Sequence, residues 1–232
     1  MRCIAAELRR MRINTGNGNE QLIVRQVMLQ IFGKSTSINV RKVLWLCHEL
    51  ELPYDLRQWG SGDLPNSQFR VLNPNGLAPV IKDGSFVLWE SNAICRYLAS
   101  AHSQGELLPA NLQERALVEQ WMDWQATELN NSWRYAFTAL ARRSPTHTDP
   151  DAISASVRSW NQHLGILDEQ LRKTGAFAAG SRFMLADVVL GLATNRWYMT
   201  PMERPSLPAV KDYYDRLSER PAFLLHGRNG VP

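Results

Sequence analysis

The pattern of apolar and polar positions changes character at about residue 109. Before it, short apolar runs rich in β-branched and aromatic residues alternate with segments of helical period. After it, strand patterns nearly vanish and amphipathic helices follow one another. The sequence therefore predicts an α/β domain over residues 28–108 and an all-α domain over residues 109–232.

The α/β part opens with a predicted strand over residues 29–32, a helix that begins at Asn39 and ends before Pro53, and a second strand over residues 54–58. The apolar residues of this helix recur at helical spacing, and Cys47 belongs to their stripe. We therefore interpret Cys47 as a core residue rather than a nucleophile.

The stretch from Asn73 to Leu98 combines a loop, a hairpin and a helix. Asp83-Gly84 separates two short apolar runs, which is a strong hairpin pattern. The period then changes from strand to helix. Glu90 and Ser91 stand at the start of that helix, where an acidic group and an acceptor side chain suit the free N–H groups.

The second part is predicted to be helical throughout. A tryptophan-rich helix runs to about Ala141, residues 142–151 form a loop, and a firm amphipathic helix follows. Two further helices are predicted, one after residue 183 and one after Pro208.

Composition narrows the class of protein. The chain has 232 residues and 44% hydrophobic content, enough for two modest domains. No apolar run approaches 18 residues, so no membrane span is expected. The three cysteines are widely spaced, and the five histidines are scattered. These patterns indicate a reducing, cytoplasmic compartment and no metal site.

The net charge of +4 is unevenly placed, because residues 1–27 hold five arginines against two glutamates. The remaining chain is nearly neutral, so no binding of nucleic acid is expected. Residues 1–27 also lack sustained periodicity. We interpret them as a disordered or adventitious leader, with translation from Met28 as the simplest account.

Three motifs resemble the N-terminal domain of cytosolic glutathione S-transferases, in particular bacterial members with a serine-type active site. They are a loop ending in Ala78-Pro79-Val80, the pair Glu90-Ser91 followed by Ala93-Ile94, and the segment 35–43, S-T-S-I-N-V-R-K-V. The resemblance covers residues 28 to about 225. It implies a thioredoxin-like α/β domain followed by an all-α domain.

The resemblance also implies a glutathione site. The proline would be cis, and the backbone of Leu77 and Ala78 beside Pro79 would contact the cysteinyl part of glutathione. Glu90 and Ser91 would hold its γ-glutamyl end. That role suits a helix N-terminus, which binds carboxylates through its free N–H groups.

In serine-type members a hydroxyl follows the first strand at the start of the first helix. Matching Arg41 to the basic residue that commonly opens this helix puts Ser37 in the catalytic position, with Ser35 and Asn39 as alternates. A hydroxyl donor there would stabilise the thiolate of glutathione. Ser37 could also serve only as a helix cap, and the two roles are compatible.

The implied activity is transfer of glutathione, as cosubstrate, to a small and apolar electrophile. The resemblance further implies a homodimer without a metal or membrane partner. The acceptor pocket is predicted on the long helix, at Trp133, Arg134, Tyr135 and Phe137. A tryptophan-rich helix is, however, more often core or dimer contact than a ligand pocket.

Two other functions remain open from the sequence. A glutathione-dependent thiol reductase normally carries a cysteine at the position of Ser37, and residues 33–41 contain none. A non-catalytic interaction module is also compatible with the fold. The Glu90-Ser91 pair argues against that second alternative.

One residue departs from the family pattern. The helix that contains Asp187 usually begins with Ser or Thr three residues earlier, forming a reciprocal capping box. Met184 stands there. Because a missing cap costs about 0.5–2 kcal/mol, the sequence alone predicts that Met184→Thr is stabilising by roughly 1 kcal/mol.

Overall fold

The structure is a computed structural model that describes residues 28–59 and 66–232, together with two short strands near the N-terminus. These strands, β1 (Arg10–Met11) and β2 (Ile23–Val24), pair antiparallel. The leader predicted over residues 1–27 otherwise lies outside the described residues.

A four-stranded mixed sheet forms the centre of the first part. Its strands are β3 (Leu29–Phe32), β4 (Tyr54–Arg57), β5 (Val80–Asp83) and β6 (Phe86–Trp89). Their order in the sheet is β4-β3-β5-β6, and only β3 and β4 run parallel. The predicted hairpin joins β5 to β6, and its Gly84 adopts the positive φ of +60° that glycine accommodates without steric cost.

One row of paired residues crosses all four strands. Phe32 pairs with Arg57 on one side and with Val80 on the other, and Val80 pairs with Trp89. Each strand enters or leaves the sheet at this row. The segments that follow Phe32 and Trp89 and the segment that precedes Val80 therefore meet at one edge.

The helices of the first part are α1 (Ile38–Glu49), α2 (Asn66–Leu72) and α3 (Ser91–His102). In the second part α4 (Leu112–Trp124) continues through a π-type turn, Gln125–Leu129, into α5 (Asn130–Leu140). The remaining helices are α6 (Pro150–Thr174), α7 (Leu185–Met199), α8 (Pro208–Ser218) and α9 (Pro221–His226). This architecture confirms the predicted fold class. The predicted boundary at residues 108–109 lies between α3 and α4 and stays a prediction.

Helices α1 and α7 join the two parts through one core. Every residue of α1 from Val40 to Cys47 is buried, because α3, α7 and α9 all pack against this helix. A Cβ added to Gly191 of α7 would stand 2.9 Å from the Trp45 ring and 2.7 Å from Leu217, so this contact requires glycine. Cys47 is fully buried and burial raises its pKa to about 12, which confirms it as a core residue.

The start of α7 differs from the expectation at Met184. Asp187 accepts a hydrogen bond from the Met184 N–H at 2.8 Å, so that half of the capping box exists. The Met184 side chain makes no capping hydrogen bond, and it is only 5% exposed within the core. Burial of the Met184 thioether therefore contributes stability at the position where a capping hydrogen bond is missing.

Met184→Thr is consequently expected to destabilise the protein. Removing a buried side chain of this size costs about 2–5 kcal/mol, whereas the new cap would return about 0.5–2 kcal/mol. We expect a net loss of roughly 1 kcal/mol or more in denaturant unfolding. Met199→Thr, at a position that is 40% exposed, is the control and should change stability less. A stabilised Met184→Thr variant would show that the cap outweighs the packing.

Candidate active site

The edge of the sheet at the Phe32 row brings the three sequence motifs together. The loop that leads into α1 follows Phe32, the loop that ends in Pro79 precedes Val80, and Glu90 follows Trp89. A Cβ added to Gly33 would lie 3.0 Å from the Ala78 Cβ, so the first two loops are in contact.

The peptide bond between Ala78 and Pro79 is cis, as the resemblance implies. Asn73 fastens this loop, because its side chain is buried and its Nδ2 donates to the Leu77 carbonyl at 2.6 Å. Leu77 itself is 64% exposed. Ala78 and Pro79 therefore lie at the edge of the sheet, and Leu77 projects toward solvent.

Ser37 is the N-cap residue of α1, with extended φ and ψ of −72° and 127°. Its backbone N–H donates to the Lys34 carbonyl at 2.9 Å, which closes a tight turn before the helix. Its hydroxyl makes no capping hydrogen bond. The hydroxyl thus stands at the positive end of the helix dipole and is not engaged by the helix.

Ser35 is engaged differently. Its Oγ accepts a hydrogen bond from Gln58 Nε2 at 3.1 Å, and its N–H donates to Gln58 Oε1 at 3.4 Å. These bonds fix the loop against the end of β4. Asn39, half-buried in the first turn of α1, makes no side-chain hydrogen bond to any residue that the structure describes. Of the two serines, Ser37 is the one whose hydroxyl bonds to no other residue that the structure describes.

Glu90 and Ser91 form the start of α3. Glu90 is the N-cap residue, and its φ of +75° is a region that favours glycine. Such strain in a glutamate is typical of functional positions. The Glu90 side chain is exposed and makes no capping bond, whereas Ser91 is 6% exposed. Glu90 therefore presents a free carboxylate beside the N–H groups of α3.

The four residues predicted for the acceptor pocket do not share one face of α5. Trp133 and Phe137 pack together, with ring centroids 5.5 Å apart, and the buried Arg196 guanidinium lies over both rings. Arg134 is exposed, and Tyr135 packs on His147 instead. Phe137 is only 3% exposed. Trp133 alone is a partly buried aromatic residue on the inward face.

Four polar residues beside the site were not predicted from the sequence. They contact the site segments or one another: Lys42, Gln58, Asn92 and Gln125. Lys42 adjoins Arg41 in a helix that could equally have presented both side chains to solvent. Their position relative to the apolar stripe is the one feature of the sequence that indicates their burial.

No group of three or more His, Cys, Asp or Glu in the described part of the chain could hold a metal ion. None of the described helices is long and apolar enough to cross a membrane.

Comparison with known proteins agrees with this geometry. Residues 36–101 match the family model of the glutathione S-transferase N-terminal domain, and residues 134–221 match that of the C-terminal domain. Glutathione S-transferase GstB of Escherichia coli (strain K12) is 35% identical over 201 residues, which are 84% of this chain and 95% of that protein. Human glutathione S-transferase theta-1 is 28% identical over 69% of this chain and 70% of its own length.

Among solved structures, the theta class glutathione S-transferase from Xanthomonas axonopodis pv. citri with glutathione bound is similar to this chain. It has a TM-score of 0.79 and 36% identity, over 85% of this chain and 96% of its own. The present chain belongs to the glutathione S-transferase family. It combines the N- and C-terminal domains of that family in one polypeptide.

Ser37→Ala is expected to leave the fold intact and to reduce the rate of conjugation by about 10²-fold, the usual effect of removing one donor to a developing anion. The pKa of the thiol in bound glutathione should rise, which ultraviolet absorption of the thiolate measures. Ser35→Ala is the matched control, because its hydroxyl is held by Gln58. An unchanged thiol pKa in Ser37→Ala would transfer the role to Ser35 or Asn39.

Glu90→Gln is expected to weaken the binding of glutathione by about 10- to 100-fold, since one charge-assisted hydrogen bond contributes about 1.5–3 kcal/mol. The melting temperature should stay nearly constant because the side chain is exposed. Titration calorimetry measures the affinity. Glu51→Gln is the control, as Glu51 is also exposed and has a φ of +52° at the opposite end of α1. Equal affinities of Glu90→Gln and the parent protein would remove Glu90 from the site.

Proposed function

We propose that this glutathione S-transferase binds glutathione at the edge of the sheet and activates its thiol through Ser37. The γ-glutamyl end lies at Glu90 and Ser91, and the cysteinyl part lies along Leu77, Ala78 and Pro79. The observation that carries the proposal is the free Ser37 hydroxyl at the start of α1, at the same edge as the start of α3.

In the reaction the thiol proton passes to solvent and the sulfur lone pair forms the new carbon–sulfur bond. In a substitution, the leaving group of the electrophile departs with its bonding electrons. In an addition, the π electrons of an activated double bond shift onto the activating group, and a proton from solvent completes the product. Ser37 donates a hydrogen bond to the thiolate and is not itself the nucleophile. Its donor and the dipole of α1 both favour the charged form of sulfur.

The acceptor substrate is proposed to be a small and apolar electrophile that lies against α5. Support comes from Trp133, a partly buried aromatic side chain whose Nε1 is fixed by Asn130 at 3.1 Å. Arg134, Tyr135 and Phe137 were predicted for the same wall. Of these, Phe137 is consistent with supporting Trp133 from the core, and Arg134 and Tyr135 lie on other faces of the helix.

A binding test and two rate measurements separate this function from its alternatives. The protein is passed over immobilised glutathione, and then tested with glutathione and an activated aryl halide. A mixed disulfide of glutathione tests for thiol reductase activity. Conjugation without disulfide reduction supports the proposal. Reduction alone would indicate the reductase, and retention on glutathione without either reaction would indicate an interaction module.

We further propose that the protein acts in the cytoplasm as a homodimer, as the family resemblance implies. Apolar side chains remain exposed on the edge strand β6 and on α4: Phe86, Leu112 and Leu117 are 46%, 81% and 52% exposed. Burial of such side chains between two copies would stabilise a dimer. Sedimentation at micromolar concentration should give about twice the chain mass of 26.4 kDa, and sedimentation as a single chain would refute the dimer.

A further inference from the structure

Lys42 is a buried amino group whose hydrogen bonds all go to neutral oxygens. It lies in the second turn of α1 and is 2% exposed. Its Nζ donates to Asn92 Oδ1 at 3.2 Å and to Gln125 Oε1 at 3.0 Å. No carboxylate in residues 28–59 and 66–232 forms an ion pair with it. Burying a charge without an ionic partner lowers the stability of the folded protein, so a lysine at this position is expected to have a function that offsets this cost.

The two acceptors connect Lys42 to two further elements, the first turn of α3 and the π-type turn after α4. Asn92 follows Ser91 in the first turn of α3, and its Nδ2 donates to the Met122 carbonyl of α4 at 3.1 Å. Gln125 opens the π-type turn between α4 and α5. One amino group thereby braces the start of α3 against both α1 and the long helix of the second part.

The connection extends to the predicted acceptor side. Gln125 Nε2 donates to Asn130 Oδ1 at 2.8 Å, and the same oxygen accepts the Trp133 Nε1 hydrogen bond at 3.1 Å. π-type turns within α-helices are frequent at functional sites. The hydrogen bonds that start at Lys42 thus lead through Gln125 and Asn130 to Trp133, the partly buried aromatic residue of α5 that packs on Phe137.

The ionisable groups that act on Lys42 belong to α3 and its N-cap and to α7. Its pKa is lowered to about 8, mainly by burial and in part by Arg196 of α7. Cys95 of α3 and Glu90 at the start of α3 raise it. The positive dipole ends of α1 and α3 point to the same region. An anion bound above the start of α3 would favour the charged amino group.

We propose that Lys42 is a positioning residue for glutathione, acting through Asn92 on the first turn of α3 and supplying positive charge beneath it. The inference rests on the proposed glutathione site at Glu90 and Ser91. Lys42 itself does not touch the ligand. Its contribution is to hold the N–H groups of α3 in place and to offset the carboxylate that they bind.

Two variants test the link from its two ends. Lys42→Met removes the charge with little change in length, and Asn92→Leu breaks the same link from α3. Both should weaken glutathione binding by about tenfold, the effect of losing one hydrogen bond to a charged group. The turnover number should change by less than about threefold, because Ser37 is untouched. Asn195→Leu is the control: Asn195 Nδ2 donates to the Val231 carbonyl and its Oδ1 accepts from the Tyr214 hydroxyl, and neither bond involves Lys42, Asn92 or Gln125.

The pH dependence separates a role of the charge from a merely structural role. Affinity for S-methylglutathione, which has no thiol to titrate, is measured from pH 6.5 to 8.5. In the parent protein the affinity should fall as pH rises toward and above 8, because an anion binds better to the protonated lysine. Lys42→Met should show a flatter profile.

The outcomes are distinguishable from failure of the proposed function. If the parent protein does not bind S-methylglutathione, the glutathione site itself is wrong. If the parent binds and Lys42→Met binds equally with the same pH profile, only the role of Lys42 is overturned. An equal loss of affinity in Asn195→Leu would also overturn it. If Lys42→Met does not fold, Asn92→Leu and the parent's pH profile decide, and an unchanged affinity in Asn92→Leu refutes the proposal.

Discussion

Strand register is the constraint on which the candidate site depends. The Arg57–Phe32–Val80–Trp89 row aligns the points at which four strands begin or end, so three chain segments far apart in sequence meet at one edge. A slip of one residue would exchange the two faces of a strand and separate Gly33 from Ala78. The two faces bury different clusters: Ile31 and Ile81 face the main core, and Phe32 and Val80 face Trp59 and Phe69.

The helix that follows this row is buried on all sides, and its two adjacent cations are accommodated in different ways. Arg41 donates to backbone carbonyls, among them those of His226 and Gly227, each at 2.6 Å. It thereby attaches the segment after α9 to the first turns of α1. Lys42 donates to the side-chain amides of Asn92 and Gln125, its hydrogen-bond acceptors among the residues that the structure describes.

Much of the fold could be predicted because its elements are long or strongly patterned. The strand at Leu29–Phe32 was predicted at its observed bounds, the predicted turn at Asp83-Gly84 lies between β5 and β6, and α3 starts at the predicted Glu90-Ser91. Helices α2 and α9 were not predicted, since seven and six residues are too few to display a helical period. The π-type turn was not predicted either, because a single wider turn does not change the spacing of apolar residues enough to be recognised in the sequence.

The candidate site was predicted in part. The motifs around Pro79 and Glu90 and the serine at the start of α1 are adjacent in the structure. The acceptor wall stays a prediction, and spacing alone could not show that Trp133 packs on Phe137 while Tyr135 packs on His147. Buried polar partners are equally hidden: Asn92 and Gln125 resemble ordinary surface residues until the packing of α3 on α4 is known.

The backbone of Glu90 has a consequence for how this protein would change under selection. A φ of +75° costs a residue with a side chain of order 1–3 kcal/mol, and glycine relieves that cost. A library screened only for resistance to heat would therefore enrich glycine at position 90. On the proposed assignment the survivors would lose the carboxylate that holds the ligand. Screens of this family member for thermostability should accordingly retain a glutathione-binding step at every round.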